Sequence, residues 1–403
     1  MSSIKLKRFV NIYTGNSISD NDKEKYTKQN KNTIPYISTK DIELGSNKVN
    51  YFNDMYIDIE ENKKFKIANK GDILLCIEGG SAGKKIARLD YDVCFVNKLC
   101  CFKGSDKVYN DFLYYYLQSD LFLSQFNLNM SGLIGGVSQS LIKEFNIPLL
   151  SKERQKKIAN YLDDKVFLID ETIENNKKEI ELLEEYKYSS INKKLNNCDW
   201  KNVRIKNTSY LKGRIGWQGL TTNDYKDEGA YLITGTDFEN GKIKWDTCVH
   251  ISEERYEEDK NIHIKEGDLL ITKDGTIGKL AIVDKLLYKT TLNSGVMLIR
   301  ANNNTLPYDN KYLYYVLKSN LFWNWYESNQ KGNATIKHLY QEQFYNFQYP
   351  LPAINIQKQI VNDLDKMTSK IDEVIEYRMQ IIEKLEEYKT SLIYEAVTGK
   401  IEV

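Results

Sequence analysis

Residues that build metal centres and disulfides are scarce in this chain of 403 residues. It has six cysteines, none in a Cys-x-x-Cys pair, and only three histidines. A metal site or a disulfide framework is therefore not expected, and the cysteine usage fits a reducing cytosol. The opening Met1-Ser-Ser-Ile-Lys5 is not followed by the apolar stretch of a signal peptide. No apolar run reaches membrane-spanning length, so no membrane partner is expected.

An excess of charge of either sign is also missing. Lysine and arginine total 57 and aspartate and glutamate total 56, which gives a net charge of +1. Proteins that bind nucleic acid usually carry a basic patch, so here such a surface must arise from the placement of the charges. The hydrophobic fraction of 41% and the charged fraction of 28% are typical of a globular chain long enough for two domains.

Signatures of catalysis are absent too. The segment from Glu78 to Lys85 superficially matches a phosphate-binding loop, but its first glycine is one residue too close and Lys85 occupies the position of the magnesium-binding Ser or Thr. Its copy from Asp274 to Leu280 fails too. The chain has no Gly-x-Gly-x-x-Gly, no His-Glu-x-x-His and no Asn/Asp-Pro-Pro-Tyr/Phe, and none of its five prolines precedes aspartate. We therefore expect no cofactor and no active site of its own.

What the chain does contain is a long internal repeat. KGDILLCIEGGSAGKK around Gly71 returns as EGDLLITKDGTIGKL around Gly267, 196 positions later. IPLLSKERQKKIANYLDD near Pro148 returns as YPLPAINIQKQIVNDLDK near Pro350, 202 positions later, and ELLEEYKYSSI returns as EKLEEYKTSLI. Each half is thus a β-rich segment followed by a long helix, and pseudo-two-fold symmetry is expected.

Within each half, strand-like patterns are followed by a helical pattern. Strand-like runs cover 33–38, 72–77 and 85–90, glycines lie between the last two, and helical spacing covers 112–122. Pro148 ends the β-rich module, and Ser151 is a plausible helix N-cap. We predict a first module at 1–150, a first helix at 151–198, a second module at 199–352, and a second helix with the C-terminal tail at 353–403.

Both long helices carry a heptad pattern that predicts an intramolecular coiled coil. Asn176 and Arg378 occupy the same a position in the two copies. Either they form a buried polar layer that fixes the register, or both lie at a solvated edge. The a positions are Leu162, Ile169, Asn176 and Leu183, then Leu364, Ile371, Arg378 and Leu385; the d positions are Val166, Ile173 and Ile180, then Thr368, Ile375 and Ile382.

Two diverged modules, each followed by a nearly identical helix, resemble the DNA specificity subunit of type I restriction–modification systems. The resemblance covers nearly the whole chain. It is carried by the Gly-Asp-Ile/Leu-Leu segments, the glycine-lysine loops, the Pro-Leu…Gln-x-x-Ile helix entries and the tail Glu-Ala-Val-Thr-Gly-Lys-Ile. These are residues 71–74 and 267–270, 80–84 and 275–279, 147–158 and 349–360, and 395–401.

This resemblance implies an α+β fold with two pseudo-symmetric globular target recognition domains separated by two long antiparallel coiled-coil helices. Each domain would read one half of an asymmetric bipartite site in double-stranded DNA. The helices would dock two methyltransferase subunits, which hold S-adenosylmethionine and carry out the chemistry, and motor-nuclease subunits would join them. One departure is that the first copy ends Ser190-Ile-Asn-Lys-Lys-Leu195, without the Thr-Gly-Lys-Ile of the second.

Candidate DNA contacts fall in three kinds of segment, because base edges need amides, hydroxyls and cations at flexible turns. The glycine loops could equally be ordinary hairpin turns, the polar stretches before the exit helices could be helix caps, and the Arg-Ile-Gly-Trp-Gln stretch could complete a core edge. Lys40 and Thr236 are further candidates, because each lies beside an aspartate at the end of a predicted strand. The candidates are Lys40, Ser81, Lys84, Lys85, Ser138, Gln139, Lys143, Arg214, Trp217, Gln218, Thr236, Lys273, Asp274, Thr276, Lys279, Asn333, Thr335, Lys337 and His338.

Two other functions compete with sequence-specific DNA binding inside a methyltransferase complex. The modules of a protein-interaction scaffold would bind proteins, and that binding would lack the steep salt dependence of DNA binding. An orphan DNA-binding regulator would have no methyltransferase partner, so a neighbouring gene with the missing Asn/Asp-Pro-Pro-Tyr/Phe motif would distinguish it.

Overall fold

Short apolar strands and long amphipathic helices divide the chain into two compact units. The computed structural model describes residues 3–132, 135–196, 199–214, 220–302, 306–330 and 337–401. The first unit is Met1–Lys178 with Arg378–Val403, and the second is Glu179–Tyr377. Each unit therefore holds one β-rich module and a part of both long helices. The domain boundaries drawn from the sequence remain a prediction.

The first half of the chain contains ten strands and four helices among its described residues. They are β1 (Ser3–Lys5), β2 (Val10–Thr14), β3 (Thr33–Ile37), β4 (Tyr56–Asp58), β5 (Ile67–Ala68), β6 (Ile73–Cys76), β7 (Ile86–Arg88), β8 (Val93–Phe95), β9 (Leu99–Gly104), α1 (Asn110–Gln118), α2 (Asp120–Leu128), α3 (Gln139–Ile142), β10 (Asn146–Pro148) and α4 (Lys152–Leu195).

The described part of the second half adds twelve strands and five helices. They are β11 (Asn202–Arg204), β12 (Ser209–Gly213), β13 (Tyr225–Lys226), β14 (Ala230–Ile233), β15 (Phe238–Glu239), β16 (Lys242–Ile243), β17 (Val249–Ile251), α5 (Glu253–Glu257), β18 (Leu269–Thr272), β19 (Leu280–Ile282), β20 (Thr290–Leu292), β21 (Val296–Ala301), α6 (Asn310–Lys318), α7 (Asn320–Ser328), α8 (Gln341–Phe344), β22 (Gln348–Pro350) and α9 (Ile354–Val397).

The sheets of the two modules share a framework and differ at their edges. The antiparallel sheet β2-β9-β6-β7 matches β12-β21-β18-β19, and β1-β10 matches β11-β22. In the remaining sheets, the parallel pair β3-β8 matches β14-β20. The edge strand differs, because β5 lies beside β8 in the first module and β13 lies beside β17 in the second.

An aromatic cluster forms the centre of each core. The Phe122 ring lies with its centroid 5.6 Å from those of Tyr116 and Phe145. Its counterpart Phe322 lies 5.8 Å from Phe344 and 5.7 Å from Phe347. Large rings that meet edge to face bury much apolar area, which explains the use of so many aromatic residues at these helix–sheet junctions.

The helical pattern over 112–122 corresponds to two helices instead of one. Ser119 has an extended backbone, with φ −75° and ψ 151°, and separates α1 from α2. Its buried hydroxyl donates to the carbonyl of Tyr116 at 2.7 Å. The apolar spacing continues across the break, so periodicity alone could not locate it.

Each long helix is anchored to its module by a buried glutamine. Gln155 Oε1 accepts from the Tyr109 backbone N–H at 2.8 Å, and its Nε2 donates to the Lys107 and Leu150 carbonyls at 3.1 and 3.0 Å. Gln357 repeats this pattern with the Asp309 N–H at 2.9 Å and the Pro352 carbonyl at 2.7 Å. Ser151 caps the first helix, as predicted, by accepting from the Arg154 N–H at 3.3 Å. The repeated Gln-x-x-Ile signature is therefore structural.

The two long helices run antiparallel within each unit, and one ion pair occurs twice. In the first unit Lys389 Nζ lies 2.7 Å from Asp170 Oδ1. In the second unit Lys187 Nζ lies 2.7 Å from Asp372 Oδ1. Lys187 and Lys389 are 202 positions apart in the sequence, and so are Asp170 and Asp372. The predicted α+β fold, with two repeated modules and two long antiparallel helices, is confirmed.

The polar a position forms a buried contact. Asn176 is 5% exposed, and its Oδ1 accepts from Arg378 Nη1 at 3.0 Å. The sequence allowed either a buried polar layer or a solvated edge at this heptad position, and Asn176 forms the buried polar layer. A polar contact inside an apolar seam favours one register over those that would leave the amide unpaired.

Among the described residues, the structure has no helix that is both long and apolar enough to cross a membrane.

Replacement of Gln357 by leucine should destabilise the second unit by about 2 kcal/mol, because the Asp309 N–H and the Pro352 carbonyl lose their buried partner. Gln155→Leu should have a similar effect on the first unit. Urea unfolding followed by circular dichroism measures both. The matched control is Gln359→Leu, the same change at an exposed position of the same helix, which should cost less than about 0.5 kcal/mol. Equal losses for Gln357→Leu and Gln359→Leu would contradict the anchoring role.

Candidate nucleic-acid interface

The first glycine loop is a tight hairpin between β6 and β7. Gly83 N donates to the Cys76 carbonyl at 2.8 Å, and Cys76 N donates to the Lys85 carbonyl at 2.9 Å. Gly83 has φ +73°, and a Cβ placed there would lie 3.1 Å from the Phe126 ring. The positive φ therefore favours glycine, and an added Cβ would make a tight contact with this ring. The hairpin reading of this loop is correct, and it leaves Lys84 exposed.

The second glycine loop repeats this design between β18 and β19. Gly278 N donates to the Thr272 carbonyl at 3.0 Å, and Thr272 N donates to the Lys279 carbonyl at 2.9 Å. The Thr272 hydroxyl also donates to the Thr276 carbonyl at 2.6 Å. Gly278 has φ +82°, and a Cβ there would lie 2.5 Å from the Trp323 ring. Lys85 and Lys279 thus occupy equivalent positions although the first loop is two residues longer.

A strand-end turn lies beside each glycine loop. Asp41 Oδ2 accepts from the Ser38 backbone N–H at 2.7 Å, and Asp237 Oδ2 accepts from that of Thr234 at 2.8 Å. Both aspartates are buried, so they stabilise the turns. Lys85 Nζ donates to the Thr39 carbonyl at 2.8 Å, which fixes the loop to the turn.

The same tie occurs in the second module. Lys279 Nζ donates to the Gly235 carbonyl at 3.4 Å. Gly235 lies 196 positions after Thr39, the register of the whole repeat. These turns carry Lys40 and Thr236, both exposed. The Thr236 hydroxyl shares a hydrogen bond of 2.7 Å with that of Thr234.

The polar stretch before each exit helix lies against the glycine loop. In the first module Gly79 N donates to the Gly135 carbonyl at 2.9 Å, and Val137 N donates to that of Ile77 at 3.0 Å. In the second module Leu339 N donates to the Lys273 carbonyl at 3.0 Å. The imidazole Nδ1 of His338 contacts a carboxylate oxygen of Asp274. Three segments chosen separately from the sequence therefore meet in each module.

Several predicted contacts in this cluster have protein partners. Ser138 caps α3 by accepting from the Leu141 N–H at 3.3 Å, so the capping reading applies. The Gln139 amide donates to the Ile12 carbonyl at 2.7 Å. Lys143 is partly buried. Exposed predicted side chains are Lys40, Lys84, Thr236, Thr276, Lys279 and Lys337; those of Ser81, Lys85, Lys273, Asp274 and His338 are partly exposed.

The structure contradicts the predicted surface position of Arg214. Its side chain is 1% exposed, and Nε donates to the Leu292 carbonyl at 2.8 Å. Nη2 lies 3.4 Å from Thr291 Oγ1, and Nη1 lies 3.8 Å from Glu258. Burial lowers the pKa of this guanidinium. In the sequence, an arginine near glycines suggested a contact in a DNA groove. In the structure, Leu292, Thr291 and Glu258, all distant in sequence, hold the side chain in the interior.

Four predicted contacts lie outside the described residues. They are Trp217, Gln218, Asn333 and Thr335.

The sequence reasoning missed a turn that completes the first cluster. Ile42 and Val49 form an antiparallel bridge, and Lys48 lies on this turn, facing the same cavity as Lys40 and Lys85. The signal was present as Gly45-Ser46-Asn47 between two β-branched residues. The runs on either side of this turn are too short to predict strands from the sequence.

The cysteines of the described chain are unsuited to nucleophilic chemistry. Burial raises the pKa of Cys94, Cys101 and Cys248 to about 12, so these thiols remain protonated at neutral pH. No group of three or more His, Cys, Asp or Glu within the described ranges could hold a metal ion.

Comparison with known proteins gives one consistent family. The model of the type I restriction modification DNA specificity domain matches residues 1–185 and again residues 197–387. A putative type I restriction enzyme MjaX specificity subunit of Methanocaldococcus jannaschii is 25% identical over 93% of this chain and 89% of its own length. The putative specificity subunit S.HindORF215P of Haemophilus influenzae is 25% identical over 81% of this chain and 83% of its own length.

Two solved structures share the fold. A chain solved to explain complex assembly and conformational transition of the type I R-M system has a TM-score of 0.76 at 16% identity, over 99% of this chain and 98% of that chain. The HsdS subunit from Thermoanaerobacter tengcongensis has a TM-score of 0.53 at 15% identity, over 99% and 97%.

Gly278→Ala should destabilise the second unit more than Gly275→Ala does. Both residues have positive φ, but only Gly278 faces a ring, since a Cβ on Gly275 meets nothing within 4 Å. The conformational cost of roughly 1 kcal/mol applies to both, and the contact with Trp323 should add about 1–3 kcal/mol. Chemical denaturation of the two variants measures the difference. Equal stabilities would show that the loop is not packed against α7.

Proposed function

Because the chain belongs to the type I restriction modification DNA specificity family, we propose that it selects an asymmetric, bipartite site in double-stranded DNA for its partner subunits. It is a specificity subunit without catalytic activity of its own. Two methyltransferase subunits and, through them, motor-nuclease subunits are brought to the site that this chain binds. It acts in the cytoplasm, where the DNA and these subunits meet.

The repeated three-segment cluster carries this proposal. Both modules assemble a glycine loop, a strand-end turn and a polar stretch on the same framework of hydrogen bonds. The side chains displayed there differ, with Lys40 and Lys84 in one module and Thr236 and Thr276 in the other. One architecture with two sets of contacts suits the recognition of two different half-sites, since base-edge chemistry decides sequence preference.

The long helices supply a repeated docking surface. The sequence Glu-Glu-Tyr-Lys occurs at 184–187 and at 386–389, and Tyr186 and Tyr388 are 59% and 54% exposed. The lysine that follows each tyrosine binds an aspartate on the facing helix, which holds the backbone in place. Exposed aromatic side chains on fixed backbone are typical of interface anchors. Two copies of one patch suit two copies of one partner, so we assign them to the methyltransferase subunits.

Sequencing the methylome of cells that express this chain with its methyltransferase tests the DNA proposal. The expected motif has two different specific halves separated by unspecified bases, because the modules differ. Replacing residues 1–150 by the first module of another family member should change one half and leave the other unchanged. A palindromic or continuous motif, or a change in both halves after the replacement, would overturn the bipartite reading.

Tyr186→Ala and Tyr388→Ala test the docking surfaces. Each single variant should bind one methyltransferase subunit in place of two, and the double variant should bind none, because each change removes one anchor. Mass measurement of the co-purified complex by light scattering gives the stoichiometry. Tyr91→Ala is the control, since Tyr91 is similarly exposed, at 61%, but lies in the first module. Full assembly by the double variant would refute this assignment.

A further inference from the structure

An open cavity of about 470 Å³ lies in the first module between the Ile42–Val49 turn and the end of the glycine loop. The amine-bearing side chains of Lys40, Lys48 and Lys85 line it. Lys40 and Lys48 flank one turn, in which Asn50 N donates to the Asp41 carbonyl at 2.8 Å, and the fold brings Lys85 of the glycine loop to them.

The turn that carries Lys48 is held in place on both sides. Within it, Glu43 N donates to the Lys48 carbonyl at 2.9 Å. At its tip, Asn47 Nδ2 donates to Tyr114 Oη at 3.0 Å and contacts Gln118 Oε1 at 3.2 Å. The backbone beneath Lys48 is thus fixed to α1, and the cavity wall exists before any ligand binds.

The carboxylates at this cavity are engaged by neutral groups, and so are not paired with its lysines. Asp41 is buried and accepts from the Ser38 hydroxyl at 2.5 Å. Glu43 accepts from the Ser46 hydroxyl at 2.5 Å. Lys85 Nζ donates to a carbonyl. Across the described ranges, no carboxylate lies within 4.0 Å of the amine of Lys40 or Lys48. The lysines therefore retain hydrogen-bond donors for an outside anion.

The second module lacks this arrangement. Thr236 replaces Lys40. The counterpart of Lys48 is Lys242, because the β15–β16 hairpin pairs Glu239 with Lys242 where the first module pairs Glu43 with Lys48. The β15–β16 hairpin occupies the position of the turn, and the Lys242 amine lies 3.6 Å from a carboxylate oxygen of Asp284. Lys279 is the counterpart of Lys85, so the second module keeps two of the three lysines, and one of these two is ion-paired.

We propose that Lys40, Lys48 and Lys85 form a pocket for a backbone phosphate of the DNA at the first half-site. This inference rests on the proposed function and adds an asymmetry to it, because the second module has Thr236 in place of Lys40 and an ion-paired Lys242 in place of Lys48. Ammonium groups are compact cations that donate to phosphate oxygens without reading base edges. The pocket therefore contributes to affinity and leaves the recognised sequence unchanged.

The double variant Lys40→Ala/Lys48→Ala tests the pocket, with Lys85 kept because its amine supports the turn. The variant is assembled with the methyltransferase, and its dissociation constant for a duplex carrying the methylated motif is measured from low to high salt. The slope of log affinity against log salt should become shallower by about one, as expected for one lost phosphate contact. The motif read by methylome sequencing should stay the same.

Lys157→Ala/Lys177→Ala is the matched control, because both lysines are exposed on α4 and the change in net charge is identical. An equal change of slope in this control would assign the effect to net charge and overturn the pocket. An unchanged slope in Lys40→Ala/Lys48→Ala would do the same. Failure of the unmodified complex to bind the duplex would instead overturn the proposed function itself.

A set of duplexes with one neutral methylphosphonate each locates the contact without relying on the double variant. The unmodified complex should lose affinity when the neutral group stands at one position at or beside the first half-site. The complex of the Lys40→Gln variant should lose less affinity than the unmodified complex at that position. Equal losses at that position for both proteins would contradict the assignment. Inorganic phosphate at the same ionic strength as chloride should not displace the duplex selectively. Selective displacement would identify the pocket as a site for free anions.

Discussion

Each globular core in this protein is closed by the end of a helix that begins after the other module. Leu392, Ile393 and Val397 of α9 belong to the apolar core of the first unit. Ile191 and Leu195 of α4 belong to that of the second. Because burial of these side chains is the main stabilising term, neither module is complete as a continuous stretch of chain. The repeat of the helices is thus a structural necessity, which explains why their sequences stay close.

The modules can diverge because a few side chains that recur in both modules and many backbone groups hold each cluster together. The ties from Lys85 and Lys279 end on carbonyls, and the loops close through main-chain hydrogen bonds. Side chains at the tips are therefore free to vary without loss of the framework. Variation without collapse is what a recognition surface requires.

Periodic features of the sequence predicted the fold well, and single contacts were predicted less well. The heptads located both helices, and the glycine pattern located both hairpins, because such signals repeat over many residues. Arg214 was misplaced because its burial depends on Leu292 and Glu258, far away in sequence. Ser138 caps α3 and Gln139 donates to a strand carbonyl, and these contacts could not be told from base-reading roles in the sequence. The pocket around Lys48 requires the glycine loop to meet the Ile42–Val49 turn, which no local pattern encodes.

The exchange of helix ends also sets an order for folding during synthesis. The second unit has all of its residues once Tyr377 has been made. The first unit must wait for Arg378–Val403, although its module leaves the ribosome first. Domains usually fold in the order of their synthesis, and here that order is reversed. The half of the protein that is translated earliest is finished last, so a chain cut short near its end would lose its first recognition module.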